Sequence, residues 1–298
     1  MISVIICTYN RERYIIEAIS KVASTKYRDY EIIVVDNNST DGTAEKIGDF
    51  LKAHPELPVK YVLETKQGLS NARNRGMQEA RGDVFVFLDD DSLVQGDYLS
   101  TLADYLNSNP QADAFGGRIE PLFDDCPRPK WLCKWSMGWV SALDMGDMVR
   151  EFEGKTFPIG ANMGIRRAAA EQAGPFNPEL GRKGGNMDAG EEKDMFRRIR
   201  ANGGTIWYFP ELRVQHVIPE KRTTLEYVDR FADGVGISER VRTKADGTYS
   251  RRVASEFVKW CGTLVLFVWY LITFRPVVGS TLVRFRSHVT RKLLSSER

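Results

Sequence analysis

Three consecutive carboxylates, Asp89, Asp90 and Asp91, follow the apolar run Asp83–Leu88. Acids crowded at the end of a buried strand repel one another, and a bound divalent cation is the usual reason to keep them there. An all-oxygen set points to Mg²⁺ or Mn²⁺ rather than zinc, and a solvated acidic turn is the plainer alternative. Asp36 closes a second apolar run, EIIVV, where a carboxylate can accept an N–H from a base or a hydroxyl from a ribose. The turn-forming residues after it leave Thr40 or Asp41 to cap the next helix. Lys66–Gly76 opens a further helix, so backbone N–H groups and Arg73 can face a diphosphate. Glu191, Glu192 and Asp194 begin a later helix; they supply a proton acceptor, or they only favour a helix N-terminus. His216, in RVQHVIP, is either a packed core histidine or an additional metal ligand.

The elements that must position these groups follow from periodicity. Near-continuous Val, Ile, Leu and Phe predict strands over Ser3–Thr8, Glu31–Asp36, Val59–Leu63 and Val84–Leu88, buried on both faces. Helical stripes lie between them: Ile15, Ile16, Ala18, Ile19 and Val22, then Ala44, Ile47 and Leu51, then a helix from Asp97 to about Asn109. Alternating β and α elements predict a mostly parallel sheet flanked by helices, with ligands at the carboxyl ends of the strands. Those ends carry Thr8-Tyr9-Asn10, Asp36-Asn37-Asn38 and Asp89-Asp90-Asp91. After about residue 112 the pattern loosens, apart from a helix over Glu191–Arg200. Trp131, Trp135 and Trp139 recur every four residues, which predicts one helical face, either packed in a core or forming an aromatic ledge for an acceptor.

The 298 residues suffice for one large α/β domain or two modest ones. A net charge of +2 gives no field to hold a nucleic acid, and none is expected as a partner. Four scattered cysteines without a CxxC pair exclude a zinc finger and suit a reducing compartment, so a cytoplasmic location is expected. No basic stretch precedes the first apolar run, and no signal peptide is expected. Trp260–Phe274 is a fifteen-residue stretch without charge, short of the roughly 20 needed to span a bilayer. Its tail sets Arg275, Arg284, Arg286, Arg291, Lys292 and Arg298 against Glu297 alone. An interfacial or re-entrant helix held to anionic lipids is expected, peripheral or monotopic at the inner face of the cell membrane; a tilted span from Phe257 and a core helix are the alternatives.

Taken in order, CTYNR, VVDNNSTDGT, KQGLSNARNRG, FLDDDS, GANMGIRR and GEEKD resemble the inverting family-2 glycosyltransferases of the GT-A fold, over about residues 1 to 218. The resemblance implies a GT-A domain over 1–218 and a helical appendage over 219–298, with its apolar segment at 257–274. It implies that Thr8, Tyr9, Asp36 and Arg73 hold the nucleotide, joined from the same loops by Asn10, Arg11, Asn38, Gly68, Asn71 and Asp90. The family's DxD metal motif falls on Asp89 and Asp91, with His216 as a further ligand of Mn²⁺ or Mg²⁺. Gly160 and Asn162 match the stretch lining the donor sugar and acceptor side, and Trp139 is placed with them. The family's base lies in a Glu-Asp pair that here reads Glu191-Glu192, so Glu192 is favoured while Glu191 and Asp194 remain open. The implied activity is transfer of a hexosyl or N-acetylhexosaminyl unit from a nucleotide sugar, a UDP-sugar by expectation, to a hydroxyl of a glycan or lipid-linked glycan. A non-catalytic nucleotide-sugar-binding or scaffold protein on the same fold is the alternative. A processive synthase would add a QxxRW segment, and a pyrophosphorylase a Gly-rich N-terminal loop; neither is present.

Overall fold

The computed structural model describes residues 1–181 and 190–295, which fall into two compact units. The first comprises Met1–Leu122 and Ser141–Val217, the second Phe123–Val140 and Ile218–Arg298. The segment Phe123–Val140 therefore belongs with the C-terminal helices, although the sequence-based division at 218 leaves it in the first domain.

The chain opens with β1 (Ile2–Thr8), α1 (Ile15–Ala23), β2 (Tyr30–Asp36), α2 (Thr43–Ala53), β3 (Val59–Leu63), α3 (Leu69–Glu79) and β4 (Val84–Asp89). These strands pair in parallel in the order β3-β2-β1-β4, with Thr8 opposite Asp36 and Cys7 opposite Asp89. This register places the polar ends of β1, β2 and β4 side by side. Ile5, Ile33, Val35, Phe85 and Phe87 bury one face, and Val4, Ile6, Ile32, Val34 and Val86 the other, as doubly covered parallel strands require.

Beyond β4 the sheet turns antiparallel, so it is mixed rather than wholly parallel. β5 (Ser92–Val94), α4 (Tyr98–Ser108), β6 (Ala112–Asp124), β7 (Arg150–Glu151), β8 (Met163–Arg166), α5 (Arg167–Ala173), α6 (Glu191–Ala201) and β9 (Thr205–Pro219) continue the chain. The full strand order is β3-β2-β1-β4-β8-β6-β9-β5, with β7 on β9. Asp97 caps α4 through Ser100 N. At α2 the cap is Gly42; Asp41, one residue earlier, accepts from Thr43 N, and Thr40 N donates to Asn10 Oδ1. The capping assigned from sequence to Thr40 or Asp41 is therefore corrected by one position.

The second unit contains α7 (Leu225–Ala245), α8 (Tyr249–Ile272) and α9 (Pro276–Leu294). Trp131, Trp135 and Trp139 do not share a face: Lys134–Val140 is a 3₁₀ helix with three residues per turn, so a spacing of four drifts around it. Trp131 and Trp139 are buried with centroids 5.7 Å apart, while Trp135 is exposed. The basic tail is not unopposed either. Arg284 pairs with Asp229 at 2.6 Å, Arg286 with Glu256 at 3.0 Å and Arg291 with Asp233 at 3.3 Å. The compensating acids lie on α7 and α8, distant in sequence.

Candidate active site

The acidic triplet sits where β4 ends. The three-residue β5 follows at once and pairs with β9, setting Ser92 opposite His216, while Val217 N donates to Asp91 O at 2.8 Å. That pairing brings His216 Nε2 to 3.1 Å from Asp91 Oδ1. Asp89, Asp91 and His216 each offer one ligand atom, all within 4.8 Å of one another. Two carboxylates and an imidazole at this spacing fit a single divalent cation. Arg11 lies alongside, 3.6 Å from Asp90 Oδ1 and 3.6 Å from Asp91 Oδ2. Burial, then the neighbouring charges of Asp91 and Asp89, push Asp90 up to about 8 despite Arg11 and the Thr8 hydroxyl. Among the described residues, Arg11 offsets this crowding of negative charge only in part.

A second group of carboxylates comes from the first turn of α6. Arg73, reaching from α3 and only 2% exposed, donates through NH1 to Glu191 Oε1 at 2.9 Å and through NH2 to Glu192 Oε1 at 3.1 Å. Glu192 Oε1 also accepts from Gly160 N at 3.0 Å, and Glu191 Oε2 from Gly190 N at 3.0 Å. Burial raises Glu192 to about 7; Arg73 opposes the rise, while the charges of Glu191 and Asp89 add to it. The Asp89 charge also acts on Arg73, so the metal-type cluster and the glutamate pair share one electrostatic environment. Asp194 turns elsewhere, bonded to Arg198 one helical turn on at 3.0 Å. Arg73, expected on a diphosphate, thus lies between Glu191 and Glu192 and is bonded to both.

The loops after β1 and β2 are tied to each other. Asp36, buried, accepts from Ser39 N at 2.8 Å and from Tyr61 Oη at 2.9 Å. Asn10 and Asn38 take positive φ of 53° and 64°, a conformation asparagine tolerates in tight turns. Tyr9 is exposed. Gly68 caps α3, and its N–H donates to Asn37 Oδ1 at 2.8 Å; Asn71 Nδ2 donates to Gln67 O. Sequence reasoning placed Asn37 at the end of its strand without giving it a role, and passed over Tyr61. Asn37 also donates to Glu64 O and Lys66 O, joining the end of β2 to the start of α3. The signal available for it was an Asn directly after the strand-end carboxylate; Tyr61 had none beyond its place in β3.

Gly160 approaches the glutamates so closely that a Cβ there would collide with Glu192 Oε1 and Arg73 NH2. Asn162 is fully buried: Tyr98 Oη donates to its Oδ1 at 2.6 Å, and its Nδ2 donates to Arg118 O and Leu212 O. It joins α4, β6 and β9 just before β8. Trp139 lies in the second unit, buried and stacked on Phe285 with centroids 4.3 Å apart.

This sheet, with an acid cluster where its parallel half ends, defines a GT-A-like α/β domain. Among solved structures, a mannosyltransferase of Pyrobaculum calidifontis in complex with GDP-Man and Mn²⁺ superposes with a TM-score of 0.62 at 17% identity, over 99% of this chain and 88% of that one. The family model for glycosyl transferase family 2 matches residues 3–174, and the chain belongs to that family. The glucosyl-dolichyl phosphate glucuronosyltransferase of Haloferax volcanii is 28% identical over 246 residues, 80% of this chain and 76% of that protein. A succinoglycan biosynthesis protein of Rhizobium meliloti is 28% identical over 252 residues, 81% of this chain and 75% of that protein.

Proposed function

We propose that this glycosyltransferase is metal-dependent and inverting, and that it moves a hexosyl or N-acetylhexosaminyl unit from a nucleoside diphosphate sugar, a UDP-sugar by the resemblance, to a hydroxyl of a lipid-linked glycan in cell-envelope polysaccharide synthesis. The observation that carries the reading is the neighbourhood of the Asp89–Asp91–His216 cluster and the Arg73-clamped glutamates, linked by the charge of Asp89 acting on Glu192. Asp89, Asp91 and His216 would hold the cation. The imidazole nitrogen suits Mn²⁺ better than Mg²⁺, which prefers an all-oxygen octahedron. When bound, the cation neutralises charge on the leaving diphosphate.

Glu192 is the base. Raised to about 7, it can hold a proton at neutral pH and still lose it, as an acid-base group requires. It takes the acceptor hydroxyl proton as that oxygen bonds to the anomeric carbon; the bond from that carbon to the diphosphate oxygen breaks, and its electron pair leaves with the diphosphate. Attack opposite the departing group inverts the centre. Arg73 and Gly160 N hold the carboxylate in place, so little reorganisation is needed at the moment of transfer. Asp36 and the tied loops after β1 and β2 form the nucleotide side. The named acceptor of the Haloferax relative, a dolichyl phosphate sugar, and the apolar α8 support a membrane-bound acceptor.

The test is transfer by purified protein from UDP-, GDP- and dTDP-sugars to polyprenyl-phosphate glycans with Mn²⁺ or Mg²⁺. Transfer that disappears in Asp91→Ala is expected. No transfer from any donor, or full activity in that variant, overturns the reading.

A further inference from the structure

α8 divides lengthwise. Arg252, Glu256, Thr263 and Tyr270 form one buried stripe, whereas Phe257, Val258, Leu264, Val265, Val268, Trp269 and Ile272 lie exposed around the rest of the helix. The stripe is bound to α9. Glu256 Oε1 accepts from Arg286 NH1 at 3.0 Å and Thr290 Oγ1 at 3.0 Å, Trp260 Nε1 donates to Thr290 Oγ1 at 2.9 Å, and Gly279 abuts Phe267. Thr273–Arg275 reverses the chain, so α8 and α9 form a hairpin. From Trp260 to Val283 its two legs carry one charge, Arg275, at the turn.

By length and composition α8 could cross a membrane. Its surroundings argue against that. The charge-free stretch Trp260–Phe274 rises only about 22 Å, against a hydrocarbon core of about 30 Å. Crossing would also drag α9 into the hydrocarbon, with Arg284 and Arg286, and would strand Arg275 short of the far headgroups. An exposed apolar arc on a helix whose other face is anchored to protein suits a helix lying in the plane of one leaflet, about 5–10 Å deep. The charges bordering the arc fit the same placement. Among the described residues Arg251, Lys259 and Arg275 have no ion-pair partner, and all are positive, matching lipid phosphates, while Glu256 is turned inward.

We infer that α8 is an in-plane anchor that holds the chain to one leaflet of a phospholipid bilayer through its apolar arc, with the hairpin neither crossing nor entering the bilayer centre. The inference rests on the membrane-bound acceptor proposed above only for its biological sense; vesicle binding is read without any transfer reaction, so either can fail alone.

Cys261, exposed on this arc, is a native reporter. The full chain in a Cys126→Ser background is labelled at Cys261 with an environment-sensitive fluorophore and mixed with phosphatidylcholine vesicles, with and without phosphatidylglycerol. Expected are flotation with the vesicles, a blue-shifted emission, and quenching strongest by lipids brominated near the headgroup end of the chains. Val265→Glu and Val268→Glu, both at exposed positions, should each weaken flotation about tenfold with unchanged circular dichroism. Three results overturn the inference: no flotation with either lipid, quenching strongest at the bilayer centre, or binding that depends on phosphatidylglycerol and survives both glutamate substitutions.

Discussion

Two groups of buried charge among the described residues are built on opposite terms. In the second unit Glu256 accepts from Arg252 at 2.5 Å and from Arg286 at 3.0 Å, and Glu239 accepts from Arg252 and Arg242. Burial alone would raise both acids, but the arginines outweigh it and hold each below its ordinary value. In the first unit the balance is reversed: Asp90 is pushed up to about 8 and Glu192 to about 7, because burial and like charges exceed what Arg11 and Arg73 return. A compensated network ties helices together. A group whose arginines only partly offset burial and like charge keeps unfavourable charge that a ligand can relieve, the arrangement in which pKa values are shifted at functional sites.

The widest separation of the two should come from Asp91→Ala, which removes a proposed cation ligand: transfer activity should fall about a thousandfold or more, as should activity in excess chelator, with the far-ultraviolet spectrum unchanged. Glu192→Gln should lower kcat by about 10²–10⁴-fold while isothermal titration shows donor affinity retained. Stability should rank the other way. Glu256→Ala, which takes from buried Arg252 one of its two acids and leaves half-buried Arg286 without that partner, should cost about 1–3 kcal/mol in denaturant unfolding, whereas Asp90→Asn, relieving repulsion, should not lower the melting temperature of chelator-treated protein. The pH profiles should diverge too. A base must be ionised to act, so kcat/KM should fall about tenfold per pH unit below about 7, and Arg73→Gln should move that limb upward because Arg73 favours the charged form. Glu239 and Glu256, whose folded pKa values are lowered, contribute stability that is fully present above the ordinary carboxylate value and lost as pH falls from there through the lowered folded values. The smallest effect belongs to Arg284→Ala; its pair with Asp229 is half exposed, and calorimetry should detect about 0.2–1 kcal/mol.

The parallel half of the sheet was legible in the sequence because each strand is a continuous apolar run ended by a polar residue. Val59–Leu63 agrees residue for residue, and β1, β2 and β4 differ by one residue at an end. The antiparallel half was not. β6 and β9 run 13 and 15 residues, and over residues 210–216 β9 alternates buried with exposed or half-buried positions, so neither a hydrophobic run nor a turn marks where pairing begins. The candidate site follows the same division. The triplet and the glutamates stood out by residue type, but the nearness of His216 to Asp91 depends on β5, a strand of three residues too short for any period. Arg73 was visible as a charge opening a helix; that its partners are Glu191 and Glu192, more than a hundred residues away, is a long-range contact no local pattern encodes. The pairing of the basic tail was hidden for the same reason.

The missing side chain at Gly160 has a consequence of its own. The volume a methyl group would fill is taken by a carboxylate oxygen of Glu192 and a guanidinium nitrogen of Arg73. One added carbon would therefore displace both the carboxylate proposed as the base and the guanidinium that holds it.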